Sequence, residues 1–176
     1  MGAWGIKALE SDEGLDVVDY LTEYIPKHYD LKLSEVIAAM KDEGFFGEDF
    51  EDIEFFFDHS AMTLSELYLI YSDTGKLDYD DDEEDEKVFS KIRSFSADNK
   101  SIDFLLRYLT DIRDQVPDVD GEREIVELWK DSSEYQQWNE HLLWLINRLN
   151  KIQEGRNKIE RTINHGNVSK LYDGGF

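Results

Sequence analysis

Two acidic segments contain the residues whose types and spacing could do chemistry. The longer is the run from Asp78 to Glu86, in which every residue but Tyr79 is acidic. Calcium loops need oxygen ligands at fixed positions around a glycine, and placing Gly75 there would put Ile70 in the first ligand position. The EF-hand pattern therefore fails, and we predict no metal site. Weak cation binding, a solvated loop and a protein-docking surface remain open, with these candidate surface residues: Asp80, Asp81, Asp82, Glu83 and Glu84.

The second acidic segment alternates acids with phenylalanines between residues 45 and 58. Its candidate partner-binding residues are Glu48, Asp49, Glu51 and Asp52. Aromatics could anchor a basic partner while the acids steer it. The alternative interpretation is that the aromatics form a stripe of the core and the acids form its solvated face. The pattern favours this structural interpretation over a docking role for the aromatics.

Catalytic constellations are absent from the sequence. The four histidines, His28, His59, His141 and His165, lie on different predicted elements without a metal-ligand spacing. Asp58, His59 and Ser60 are the residue types of a hydrolytic triad, but adjacent residues cannot reach triad geometry. No glycine-rich phosphate loop, dinucleotide-binding motif or nucleophile elbow occurs. We therefore predict no catalytic residue and no cofactor.

Charge narrows the class of partner. Residues 1–87 contain 26 acidic residues against 6 Lys and Arg, whereas residues 88–176 contain 15 against 13. Almost the whole net charge of −22 thus belongs to the first half. A surface this negative repels phosphate backbones and attracts basic proteins. We predict a basic protein partner and no nucleic acid; the oligomeric state is left open.

The remaining composition predicts a cytoplasmic protein. The chain has no cysteine, which removes disulfides and thiolate metal sites. Its N-terminus lacks the basic and apolar regions of a secretory signal, and no apolar stretch approaches the length of a membrane span. No membrane partner is expected.

Hydrophobic periodicity predicts a mainly α fold, a single compact multi-helix domain over residues 1–155 with an acidic mid-chain loop at 76–87. Ser11 and Asp98 or Asn99 are predicted helix N-caps, and Gly75 is a predicted helix end. Helices are expected over these ranges: 12–25, 34–43, 51–57, 62–72, 99–116, 122–130 and 133–154. Gly155 is expected to end the last helix, leaving residues 156–176 as a partly mobile tail.

Two stretches resemble a bacterial family of unknown function. Its members begin with M-G-x-W-G and an acidic helix start, which here read Met1-Gly2-Ala3-Trp4-Gly5 and Ser11-Asp12-Glu13-Gly14. The later Glu127-Leu128-Trp129, followed by Trp138, resembles the E-L-W…W segment of that family. Some similar sequences carry the label "molybdate metabolism regulator", which implies DNA binding. The negative charge argues against that implication.

The signature around Trp4 has two interpretations. Glycines at positions 2 and 5 predict a tight turn that tucks the indole under the helices. Alternatively, the segment lines a ligand pocket whose candidate residues are Trp4, Asp12 and Asp16, near the C-terminal tryptophans.

Taken together, the sequence favours a non-catalytic acidic interaction protein that binds a basic protein, as immunity and inhibitor proteins do. A small-molecule-binding or enzymatic domain with a pocket near Trp4 is the first alternative, and a molybdate-linked regulator is the second.

Overall fold

The computed structural model describes residues 3–77 and 87–172, with side chains as far as residue 164. The acidic run at 78–86 lies outside the described residues. The fold is mainly α, as predicted: in the described ranges, six α-helices form one compact domain with two short parallel strands. The helices and strands are α1 (Asp12–Tyr24), β1 (Asp30–Lys32), α2 (Leu33–Asp42), α3 (Phe55–Thr74), β2 (Ser94–Ser96), α4 (Asn99–Arg113), α5 (Glu124–Lys130) and α6 (Tyr135–Tyr172).

Helix α3 occupies the centre of the domain. All thirteen residues from Phe57 to Leu69 are buried, and α3 packs against α1, α4, α5 and α6. A helix that is buried on all sides has no solvated face, which explains why no amphipathic period marks the first half of α3. Its polar side chains need partners inside the protein. Ser60 and Ser65 donate to the carbonyls four residues earlier, at 2.8 and 2.7 Å.

Local signals fix several helix ends where the sequence predicts them. Ser11 accepts a hydrogen bond from the Gly14 amide and caps α1. Asp98 accepts one from the Ser101 amide and caps α4. Gly75 ends α3 with φ at 70°, a left-handed conformation that glycine adopts at low cost.

Other predicted boundaries are wrong. The expected short helix at 51–57 is replaced by turns up to Glu54, after which α3 begins at once. Helix α2 begins at Leu33, one residue before the predicted start at residue 34. Helix α4 ends at Arg113 because Gln115 has a positive φ of 53°.

Gly155 does not end α6, which continues to Tyr172 and is roughly 57 Å long at 1.5 Å per residue. Between residues 148 and 170 this helix has six Lys and Arg against two acids, so its second half is basic. The predicted helix ends at residue 154 and therefore does not include most of this basic half. The mobility of residues 156–176 stays a prediction.

The two strands pair in parallel, with Leu31 opposite Phe95. Both residues are buried beneath the helices. Asp30 accepts a 2.5 Å hydrogen bond from Arg93 and a 3.1 Å hydrogen bond from Ser94 at the edge of this sheet. The sheet thus joins the start of α2 to the start of α4.

Gly14 permits the closest backbone approach in the domain's N-terminal region. A Cβ atom built on Gly14 would lie 1.9 Å from the Ala8 carbonyl oxygen. We expect Gly14→Ala to lower the free energy of unfolding by about 3 kcal/mol, because backbone atoms cannot yield as a flexible side chain can. Chemical denaturation at neutral pH measures this loss.

Gly155→Ala is the matched control, since a Cβ there meets nothing within 4 Å and the site is mid-helix. It is expected to raise the free energy of unfolding by about 0.5–1 kcal/mol. Equal effects of the two substitutions would contradict the close approach at Gly14.

Candidate functional site

A buried carboxylate fixes the N-terminal turn. Glu66, in the middle of α3, is 4% exposed. Its Oε1 and Oε2 accept hydrogen bonds from the amides of Ala8 and Leu9 at 2.8 and 2.9 Å. These amides belong to a one-turn 3-10 helix at residues 8–10. Glu66 therefore attaches the segment before α1 to the core of the protein.

Helix α6 supplies the third partner of this carboxylate. His141 Nε2 lies 2.7 Å from Glu66 Oε1, and its side chain is 11% exposed. The His141 ring stacks on Trp144, with centroids 5.8 Å apart and planes at 17°. His141 thus lies at the boundary of the core, and nothing in the sequence indicates Glu66 as its partner 75 residues away.

A cavity of about 480 Å³ opens beside this pair. Eight residues line it: Trp4, Lys7, Leu9, Glu10, Glu66, Ile70, His141 and Trp144. The Trp4 and Trp144 side chains are 60% and 44% exposed, whereas Trp129 and Trp138 are buried and stacked 5.7 Å apart. The prediction that Trp4 is tucked under the helices is therefore wrong.

The other two residues of the predicted pocket lie elsewhere. Asp12 forms the first turn of α1 and is not among the residues that line the Trp4 cavity. Asp16, one turn further along α1, lines a different groove. The predicted pocket combined Trp4, Asp12 and Asp16 because they are close along the chain. In the structure, the two acids lie on α1 and do not line the Trp4 cavity.

The second opening is an acidic groove of about 520 Å³ between α1, the start of α3 and the segment before α5. Its carboxylates are Glu13, Asp16, Glu54, Asp118, Asp120 and Glu124. Apolar side chains of Ile53, Phe55, Phe56 and Val119 complete the lining, which includes no Lys, Arg or His. We call this opening the acidic groove.

The acidic turn at residues 48–52 leads into the groove at Glu54. All four predicted surface acids there are exposed, and the Asp49 carboxylate accepts hydrogen bonds from the amides of residues 51 and 52 at 2.9 and 3.1 Å. The neighbouring phenylalanines face inward: Phe46 is buried, and Phe45 and Phe50 pack against the core. Phe45, Phe46 and Phe50 thus belong to the core or pack against it, as the structural interpretation predicts, and the acids form the solvated face.

Within residues 3–77 and 87–164, whose side chains the structure describes, no three acidic or histidine side chains converge on a metal-sized site. In the same ranges, no helix has the length and apolarity needed to cross a membrane. The groove carboxylates come from four separate segments and are spread around the opening, which does not suit a single small cation.

A family model for a domain of unknown function, DUF4259, matches residues 2–141. The chain belongs to the DUF4259 family. The matched segment includes Trp4, Glu66 and His141 together with every acid of the groove, and it ends before Trp144. No curated protein and no solved structure matches the chain.

A buried ion pair positions one wall of the groove in this DUF4259 domain. Arg123 donates from Nε and NH2 to the two carboxylate oxygens of Asp58, at 2.6 and 2.5 Å, and both side chains are 1% exposed. Arg123 NH1 also donates to the Val116 carbonyl at 3.3 Å. The pair thus ties the first turn of α3 to the segment that contains Asp118, Val119 and Asp120.

Burial also shifts the pKa values of Asp58 and His59. Loss of solvation raises the pKa of Asp58 to about 6, against the opposing effect of the Arg123 guanidinium. Burial lowers the pKa of His59, so its ring is kept neutral next to Phe55, whose carbonyl lies 3.2 Å from His59 Nδ1. Asp58 and His59 are therefore buried core residues on adjacent helix positions, with no triad between them and Ser60.

Removing one partner of the buried pair should be costly. We expect Arg123→Met to lower the free energy of unfolding by about 3–5 kcal/mol, because it leaves the Asp58 carboxylate buried without a cation. Arg113→Met is the control, since Arg113 pairs with Asp114 at the surface, and it should cost less than about 1 kcal/mol. Urea denaturation at low temperature compares them.

The double variant Asp58→Ala and Arg123→Met removes both charges and should lose less stability than Arg123→Met alone. Equal losses for Arg123→Met and Arg113→Met would show that the Asp58–Arg123 contact is not a buried pair in solution.

Proposed function

We propose that this DUF4259 protein is a non-catalytic interaction protein whose acidic groove docks a basic segment of a protein partner. The observation that carries the proposal is the composition of the groove. Six carboxylates and four apolar side chains line it without a single basic residue. Uncompensated charge of one sign around a concave surface raises the local concentration of partners of the opposite sign.

The mixed lining favours a polypeptide over a small cation. Lys and Arg side chains lay their aliphatic stems on apolar surface while the charged end stays near carboxylates. Ile53, Phe55 and Phe56 are half-buried along the groove and offer such a surface, and the Val119 side chain is 96% exposed at its wall. Protein–protein interfaces commonly have an apolar core and a polar rim, and the groove lining contains both kinds of side chain.

Charge outside the groove supports long-range attraction of the same partner. The acidic turn at 48–52 lies next in sequence to Glu54, and the run at 78–86 adds eight more acids. Such charges act mainly on the association rate and lose their effect as salt rises. An immunity or inhibitor protein that covers a basic toxin is the functional class that fits this design, and we propose the cytoplasm as its location.

DNA binding as a molybdate-linked regulator is not favoured. The net charge of −22 opposes approach to a phosphate backbone. The second half of α6 is basic, but it belongs to a chain whose residues 1–87 alone contain 26 acids against 6 Lys and Arg.

The test is capture of partners from the protein's own cell lysate at low and at high salt. The groove variant combines Glu54→Gln, Asp120→Asn and Glu124→Gln. The control variant combines Glu23→Gln, Glu43→Gln and Glu160→Gln, which change the net charge equally at exposed positions outside the groove lining. A basic protein should be recovered with wild type and control, and lost with the groove variant and at high salt.

The recovered protein is then titrated in purified form. We expect the groove variant to bind it at least about tenfold more weakly than the control variant does, since three neutralised contacts need to supply only about 1.4 kcal/mol in total. Equal binding by the two variants, or no basic protein recovered at either salt, would refute the proposal.

A further inference from the structure

The cavity beside Trp4 is separate from the acidic groove, and the proposed docking function does not use it. Its volume of about 480 Å³ is that of a small-molecule site, and its lining combines apolar side chains with the Glu66–His141 pair. Two large indoles line it while remaining 60% and 44% exposed. Exposed aromatic surface inside a concave site is surface that a ligand can cover.

We propose that this cavity binds a neutral, planar nitrogen heteroaromatic ring of the nucleobase type. Indole side chains favour planar ligands, because any planar ring can stack on an indole whatever its substituents. Leu9 and Ile70 supply further apolar lining between these aromatics and the core. A flexible aliphatic ligand would gain contact area here but no stacking.

The polar residues of the cavity determine which hydrogen-bonding groups the edge of the ligand's ring must present. Each carboxylate oxygen can accept two hydrogen bonds. Among the described residues, Glu66 Oε1 is bonded to the Ala8 amide and His141, while Oε2 is bonded to the Leu9 amide alone. Oε2 therefore keeps an acceptor position for a ring N–H or an exocyclic amino group.

His141 offers the complementary group. Its Nε2 lies 2.7 Å from Glu66 Oε1 and donates to this carboxylate, so Nδ1 is the ring nitrogen that no described hydrogen bond uses. In the proposed complex, Glu66 Oε2 and His141 Nδ1 both accept hydrogen bonds from the ligand, which matches the donor-bearing edge of an amino-substituted base.

Charge distinguishes a base or nucleoside from a nucleotide. The lining holds two acids, Glu10 and Glu66, against one cation, Lys7, and the whole chain has a net charge of −22. A phosphate group would be repelled both by the site and by the long-range field. The ligand we propose therefore lacks phosphate.

The test follows the four indole N–H signals by NMR during titration with adenosine, guanosine, cytidine and uridine. At least one nucleoside should bind saturably with a dissociation constant below about 1 mM, a modest affinity for a site of this size. The signals of Trp4 and Trp144 should shift, while those of the buried Trp129 and Trp138 stay in place.

Variants and a charged analogue complete the design. Trp144→Ala should weaken the binding at least about tenfold. Leu128→Ala, which trims an exposed apolar residue outside this cavity, should leave it unchanged. The 5′-monophosphate of the best nucleoside should bind at least about tenfold more weakly. No saturable shift with any nucleoside, shifts at Trp129 and Trp138 instead, full affinity of Trp144→Ala or tighter binding of the monophosphate would each overturn the proposal.

Discussion

A carboxylate in the middle of a fully buried helix is the constraint on which the N-terminal half of this structure depends. An isolated charge at that depth would cost several kcal/mol, so Glu66 must find donors inside the protein. It finds them in the amides of Ala8 and Leu9 and in His141. These three contacts bring the chain start, α3 and α6 to one point. Gly14 then lets α1 begin directly against the Ala8 carbonyl, where any side chain would collide.

Asp58, in the first turn of α3, is a second buried carboxylate that finds its partner inside the protein. Its bidentate contact with Arg123 holds the segment that forms a wall of the acidic groove, as Glu66 holds the segment that carries Trp4. Buried ion pairs contribute little net stability, but they allow few alternative arrangements because every partner must be satisfied. The central helix thus supplies apolar contacts for the core and two buried carboxylates that position the Trp4 cavity and the acidic groove. The proposed protein-docking and ligand-binding roles belong to surfaces held in this way.

The sequence predicts features that depend on neighbouring residues, such as helix caps, but it does not predict features that depend on residues far apart along the chain. The caps at Ser11 and Asp98 and the end of α3 at Gly75 depend on residues within one turn, and all three are confirmed. The two strands have three residues each and are 64 positions apart in register, so no local pattern marks them. Gly155 looked like a helix end because glycine is a poor helix former, but α6 continues through it. Glu66 was indistinguishable among 41 acids until the fold placed it beside His141.

Hydrogen exchange at the amides of Ala8 and Leu9 tests the central role of Glu66 most directly. Both amides bond to a buried carboxylate, whereas the neighbouring Lys7 amide bonds to the more exposed Glu10 at 3.1 Å. The account predicts that Ala8 and Leu9 exchange at least about a hundredfold more slowly than Lys7, after correction for intrinsic rates, because exchange requires opening of the Glu66 contacts. Exchange of all three amides at the same fast rate would show that the N-terminal turn is not anchored, and the account would be wrong.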